Sequence, residues 1–165
     1  MTKVFLLDAL TPFTEEAVKD IIMPVRMQKE DKEPPQPRPA KIYQMRLTKS
    51  KSYDKAAPYI IHQVLTGRDG RDEDGRIAAQ AVIRTIFCVY SENEQEGALM
   101  LLNLMERVRI ELLKTVALAD QYQLDLNDGL ETIIYPDDTA PYYSGEMAST
   151  WNMPSIKREV GKYVS

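Results

Sequence analysis

Histidine and cysteine, the side chains most often recruited for acid–base and nucleophilic chemistry, occur once each in this chain, as His62 and Cys88. A histidine-based triad needs a nucleophile and an orienting acid within reach of the imidazole. His62 stands between Ile61 and Gln63 with no such pattern around it, which predicts a sheet histidine rather than a catalyst. Cys88, between Phe87 and Val89, has the setting of a small buried hydrophobe. One of each also rules out a disulfide framework and falls short of the four ligands of a structural zinc site. The glycine cluster Gly67-x-x-Gly70-x-x-x-x-Gly75 encloses Asp69, Asp72, Glu73 and Asp74, acids that repel the phosphates a glycine-rich loop normally cradles. Their spacing is not that of an EF-hand, and strands rather than helices are expected on either side. Asp137 and Asp138 follow Pro136 without a third ligand, as in a solvated turn. The expectation is therefore no catalytic residue, no metal and no cofactor. The Gly67–Gly75 segment is expected to be a mobile loop whose Arg68, Arg71, Asp72, Glu73 and Asp74 are available for docking.

The elements that would position these residues can be read from periodicity. Thr11-Pro12 followed by Glu15 and Glu16 looks like a helix start, and Phe13, Ala17, Val18, Ile21 and Ile22 fall on one stripe, so a helix is expected over 12–23. A polar stretch then leads into Pro34, Pro35, Pro37 and Pro39, an exposed arm over about 28–40. A stiff connector is the commoner use of such a run, and an SH3-type ligand the rarer one. Strands are expected over 41–47, 58–66 and 76–90, the last two joined as a hairpin by the charged loop. In the long strand Ile77, Ala79, Ala81, Ile83, Thr85, Phe87 and Val89 share one face, while the other mixes Gln80 and Arg84 with Val82, Ile86 and Cys88. Ser91 and Glu94 form a capping-box pattern before the longest helix, 92–114, with Ala98, Leu101, Leu104, Met105, Val108 and Leu112 inward and an Arg107–Glu111 pair outward. Residues 122–126 and 130–135 read as strands around a turn at Asn127-Asp128-Gly129, and 143–153 as a last strand ended by Pro154.

This order does not repeat the strand-helix-strand rhythm of a parallel sheet. The expected fold is α+β, a mostly antiparallel sheet with two helices packed on one face. With 165 residues, 44% of them hydrophobic and 28% charged, one domain over 1–165 is expected, with a loosely held tail from about 155. No apolar run approaches the roughly 18 residues of a membrane span, and the stretch from Met1 to Asp8 lacks a signal-peptide cleavage site, so an intracellular protein is expected. The net charge of −4 does not favour nucleic-acid binding. Charge is polarised along the chain. Arg38, Lys41, Arg46, Lys49, Lys51 and Lys55 stand against Asp54 alone, net +5. From Thr115 to Ile156 there is no basic residue, while Asp120, Asp125, Asp128, Glu131, Asp137, Asp138 and Glu146 give −7. Charge runs usually keep a surface solvated; the sharper reading is a head-to-tail interface, with Lys49 and Lys51 on its basic side and Asp125 and Asp128 on its acidic side.

Four segments carry a family likeness. The stretch from Pro58 to His62, Val89-Tyr90 followed by 91–97, the helix segment from Leu101 to Arg109, and 142–147 running on to Trp151-Asn152-Met153-Pro154 together resemble the tail terminator (tail completion) proteins of long-tailed bacteriophages and prophages. The likeness covers roughly 58–159 and leaves out the first helix and the arm. It implies a small α+β subunit that assembles into a ring, usually a hexamer, at the head-proximal end of the tail tube. The ring would end tube polymerisation and join tail to head. The partners implied are further copies, the tail tube protein and head connector or neck proteins, with phage DNA passing through the channel without specific binding. The implied location is the host cytoplasm during assembly and then the virion tail. A head-closure or neck component of the same machinery is the neighbouring alternative. The rival from another class is a small-ligand enzyme or sensor domain in which Arg84, Gln80 and His62 converge on the second face of the sheet.

Overall fold

The computed structural model describes residues 2–47, 56–136 and 139–159. Lys49, Lys51, Asp137 and Asp138 lie outside these residues. The elements in chain order are α1 (Lys3–Val18), β1 (Lys41–Gln44), β2 (Tyr59–Arg71), β3 (Ile77–Tyr90), α2 (Glu94–Lys114), β4 (Gln123–Leu124), β5 (Leu130–Ile134) and β6 (Tyr142–Met153). The strands form one sheet in the order β1-β2-β3-β6, with β4 and β5 one after the other on the far side of β6. Every pairing is antiparallel except β1 with β2, which is parallel. The fold is thus α+β as expected, with a mixed sheet.

Both helices lie on one face of that sheet. Alternation along β3 sends Ala81, Ile83, Phe87 and Val89 to this face, where Met147 and Trp151 of β6 and Ile60 of β2 join them. From the helices come Leu6, Leu7 and Leu10 of α1 and Leu101, Leu104, Met105, Val108 and Leu112 of α2. Truncating Phe87 or Trp151, both essentially inaccessible, should cost about 3–5 kcal/mol. Two glycines let the layers approach. A Cβ on Gly97 would stand 2.3 Å from the Tyr143 ring, and one on Gly145 would stand 2.8 Å from both the Ile133 carbonyl oxygen and the Met105 sulfur.

Several local expectations are corrected. Helix α1 starts nine residues before the expected position, capped by the Thr2 hydroxyl, and Pro12 lies inside it. The Thr11 hydroxyl donates to the Leu7 carbonyl and that of Thr14 to Leu10, while Asp8, whose carbonyl loses its usual donor to Pro12, is on the exposed side. Ile22, assigned to the inner stripe, is exposed. Helix α2 is capped by Asn93, which accepts from the Glu96 N–H, and not by Ser91, whose hydroxyl turns the chain at Asn93 instead. Gly97 rather than Ala98 faces inward. Arg107 reaches α1 and pairs with Asp20 at 2.7 Å, leaving Glu111 to Lys114. Strand β1 stops at Gln44 because Met45 takes φ 66° and the Arg46 N–H turns back to the Gln44 carbonyl at 2.7 Å.

The arm is a closed excursion. Met23 and Arg38 exchange two backbone hydrogen bonds, 2.9 and 3.0 Å, so 24–37 is a loop closed at its base, and Arg26 within it donates to the Tyr142 hydroxyl at 2.9 Å. Arg38 fixes the return by donating to the carbonyls of Pro39, Pro58 and Ala56 at 2.9–3.0 Å, and burial among these groups lowers its pKa. Beyond Met153 the residues 154–159 carry no regular structure.

Candidate functional site

His62 is built into the joint between α1 and the sheet. The Thr14 hydroxyl donates to Leu10, which leaves its lone pairs for the His62 Nε2–H at 2.8 Å; the Thr85 hydroxyl then donates to Nδ1 at 2.9 Å. Burial alone drives the imidazole pKa down to about 4. Both ring nitrogens are therefore spent on tying helix to strand. Cys88 is buried on the opposite face, in a small second core with Leu47, Ala56, Ala57, Tyr59, Ile61 and Tyr90.

The convergence of Arg84, Gln80 and His62 does not occur. His62 pairs with Thr85 on the helix face, whereas Gln80 and Arg84 project from the other face of β3. Arg84 instead forms an ion pair with Glu146 and donates to the Tyr135 hydroxyl at 3.2 Å; Glu146 first and Tyr135 second raise its pKa. Gln80 donates to Asp125 at 2.8 Å and to Asn152 at 2.9 Å.

The Gly67–Gly75 segment is largely strand. Gly67 to Arg71 pair with Ala81 to Ile77, so Arg68 and Arg71 belong to a ladder that projects beyond the helices, and only 72–76 turn. Asp72 organises that turn: its carboxylate accepts from the N–H groups of Asp74 (3.0 Å) and Arg76 (2.8 Å), and Gly75 supplies the required φ of +78°. Glu73 and Asp74 form the exposed tip. Leu65 is the extra residue of a bulge that shifts the register between Val64 and Thr66 and re-aims this hairpin.

Asp125 plays a matching part on the other side of β6. β4 and β5 do not form a hairpin with each other; both run antiparallel to β6, and 125–129 is a detour between them. The Asp125 carboxylate accepts from the Asn127 N–H at 2.9 Å and its carbonyl from the Gly129 N–H at 3.1 Å, while Asp128 accepts from the Thr150 hydroxyl. The sequence-level candidates that are described, Asp74 apart, border two adjoining troughs. Arg68, Asp125 and Asp128 border a trough of about 480 Å³, and Arg68, Arg71, Asp72 and Glu73 border an adjoining one of about 650 Å³. Asp74 borders neither. Among the described residues no group of three or more His, Cys, Asp or Glu is placed to hold a metal ion.

Charge is distributed across the sheet rather than gathered at one site. The basic segment supplies β1 at one margin, with Arg38 and Arg46 flanking Lys41. The stretch without a basic residue supplies β4 and β5 at the opposite margin, with Asp120, Asp125, Asp128 and Glu131. β6, which belongs to the same stretch, lies inside this margin, and β2 and β3 separate it from β1, an arrangement that the segments do not reveal in sequence. Among the described residues no helix is long and apolar enough to cross a membrane. No protein-family model matches the chain, and no curated protein sequence matches it significantly.

Proposed function

We propose that this protein is a structural subunit that assembles head to tail into a ring ending a phage tail tube, the role implied by its likeness to tail terminator proteins. The observation that carries this is the arrangement of opposite charge at opposite margins of one sheet. A ring made by rotation brings one patch of a subunit against a different patch of the next, so it requires two unlike, complementary surfaces. A two-fold dimer joined edge to edge at either margin would instead set like charge against like. Each exposed ion pair contributes only about 0.2–1 kcal/mol, so the charges set register and encounter rate while apolar contacts supply most of the affinity. The apolar contribution at the acidic margin comes from Ile133 and Ile134, both roughly half exposed on β5.

A terminator is tested on tubes. Added to polymerising tail tubes, the protein should appear in electron micrographs as a ring at one end only, and mean tube length should fall as its concentration rises. Binding to isolated head connectors with no effect on tube length would instead support the head-closure or neck role. A monomer that neither caps tubes nor binds connectors would refute both.

A further inference from the structure

We propose that β5 of one subunit adds to the outer edge of β1 of the next, so that a single sheet continues from subunit to subunit. This deepens the ring reading and rests on it. Both strands are margins of the sheet, with no further strand beyond either among the described residues, and the Met23–Arg38 bridge stands three residues before β1. The backbone groups available there follow from the inner pairings. Lys41 and Met45 direct their N–H groups at β2, bonding Pro58 and His62, so Ile42 between them points its N–H and C=O outward. Tyr135 directs its N–H at Ser144 of β6, so Leu130, Thr132 and Ile134, which alternate with it, point outward from β5.

The geometry of a ring makes these two edges compatible. Rotation about an axis along the strands preserves both strand direction and the side on which the helices lie. β1 runs parallel to β2, β3 opposes it, β6 opposes β3 and β5 opposes β6, so β5 meets the next β1 antiparallel. Face parity agrees as well. Ile42 shares the helix face with Ile60, and Thr132 shares it with Met147, so the two outward-pointing residues can form a hydrogen-bonded pair without turning either strand over. With Ile42 opposite Thr132, Lys41 faces Ile133 and lies one diagonal step from Glu131. Ile134 then comes opposite Ala40, over a groove of about 480 Å³ between α1 and β1 that Pro39, Ala40 and Ile42 line in part. A large exposed side chain thus meets a small one beside an open apolar groove.

The contact is tested by cross-linking Lys41→Cys/Ile133→Cys, a non-hydrogen-bonded pair whose Cα atoms would lie about 4.5 Å apart, within disulfide range. Under mild oxidation, with tail tubes added if the free protein is monomeric, the double variant should give a ladder of covalent oligomers, and each single variant dimers at most. Thr132→Pro removes an outward N–H from an edge strand while keeping the β5–β6 ladder. It should preserve the circular dichroism spectrum and lower ring formation at least tenfold. Rings seen by electron microscopy without the ladder would overturn the strand addition and leave the terminator reading intact. Cross-linked rings that never cap tubes would do the reverse. If Thr132→Pro fails to fold, the cross-link alone decides.

Discussion

Burial holds the His62 imidazole at about 4, below the 6.5 of a free histidine, and this gives the fold an acid sensitivity with a definite sign. Above pH 6.5 the ring is neutral in both states and its two threonine bonds contribute fully. Between 6.5 and 4 the unfolded chain takes up a proton that the folded one refuses, so stability falls as pH drops, by about 3 kcal/mol once pH is below 4. Urea midpoints from pH 8 to pH 4 should therefore fall more steeply for wild type than for His62→Gln; parallel curves would contradict the assignment. At pH 8 the variant should lose about 1–3 kcal/mol by leaving Thr14 or Thr85 unmatched. Cys88→Ala should cost stability only, with ring formation and tube capping unchanged. Gly145→Ala presses a methyl against the Ile133 carbonyl, which cannot retreat without loosening β5 from β6. A loss of about 1–3 kcal/mol in thermal unfolding is expected, against little change for Gly70→Ala, where a Cβ meets nothing within 4 Å.

At the level of elements, the period-two pattern of β3 and β6 and the apolar stripe of α2 were legible because burial on one face imposes them. What escaped were places where a local signal competes with tertiary pairing. Pro12 looked like a helix start, yet α1 runs through it because Leu6, Leu7 and Leu10 bury a stripe that extends the helix toward Lys3. Gly67 and Gly70 looked like loop residues, yet the ladder with β3 holds them as far as Arg71. The parallel pairing of β1 is invisible in sequence, since a period-two pattern is the same for either strand direction and the pairing depends on the chain between Gln44 and Tyr59 crossing back to the start of β2. The same point alters where a protease should cut. In the free subunit, trypsin should cleave first at Lys29 and Lys32 in the arm. Arg68 and Arg71, paired in the hairpin, should survive at least ten times longer. Cleavage at Arg68 at the rate of Lys29 would mean that the hairpin is not formed in solution.

Across the whole molecule, the charge polarity is plain in the sequence, and the strand order adds what the sequence does not show: β1 of the basic segment and β4 and β5 of the acidic stretch lie at opposite margins of one sheet. The candidates on the hairpin and on the 125–129 detour serve the fold first: Asp72 and Asp125 tie their turns through backbone N–H groups, so changing them tests local structure rather than assembly. The charges to alter in a test of the proposed assembly are those of the basic segment. Sedimentation of wild type and of Lys41→Glu/Lys49→Glu/Lys51→Glu, in 50 mM and 1 M salt and with tail tubes present, puts the head-to-tail account to its most direct test. The account predicts a discrete closed ring of wild type at low salt, weakened by high salt and by the triple reversal, with folding of the variant unchanged. A ring indifferent to both treatments, or a wild type that stays monomeric with tubes present, would contradict it.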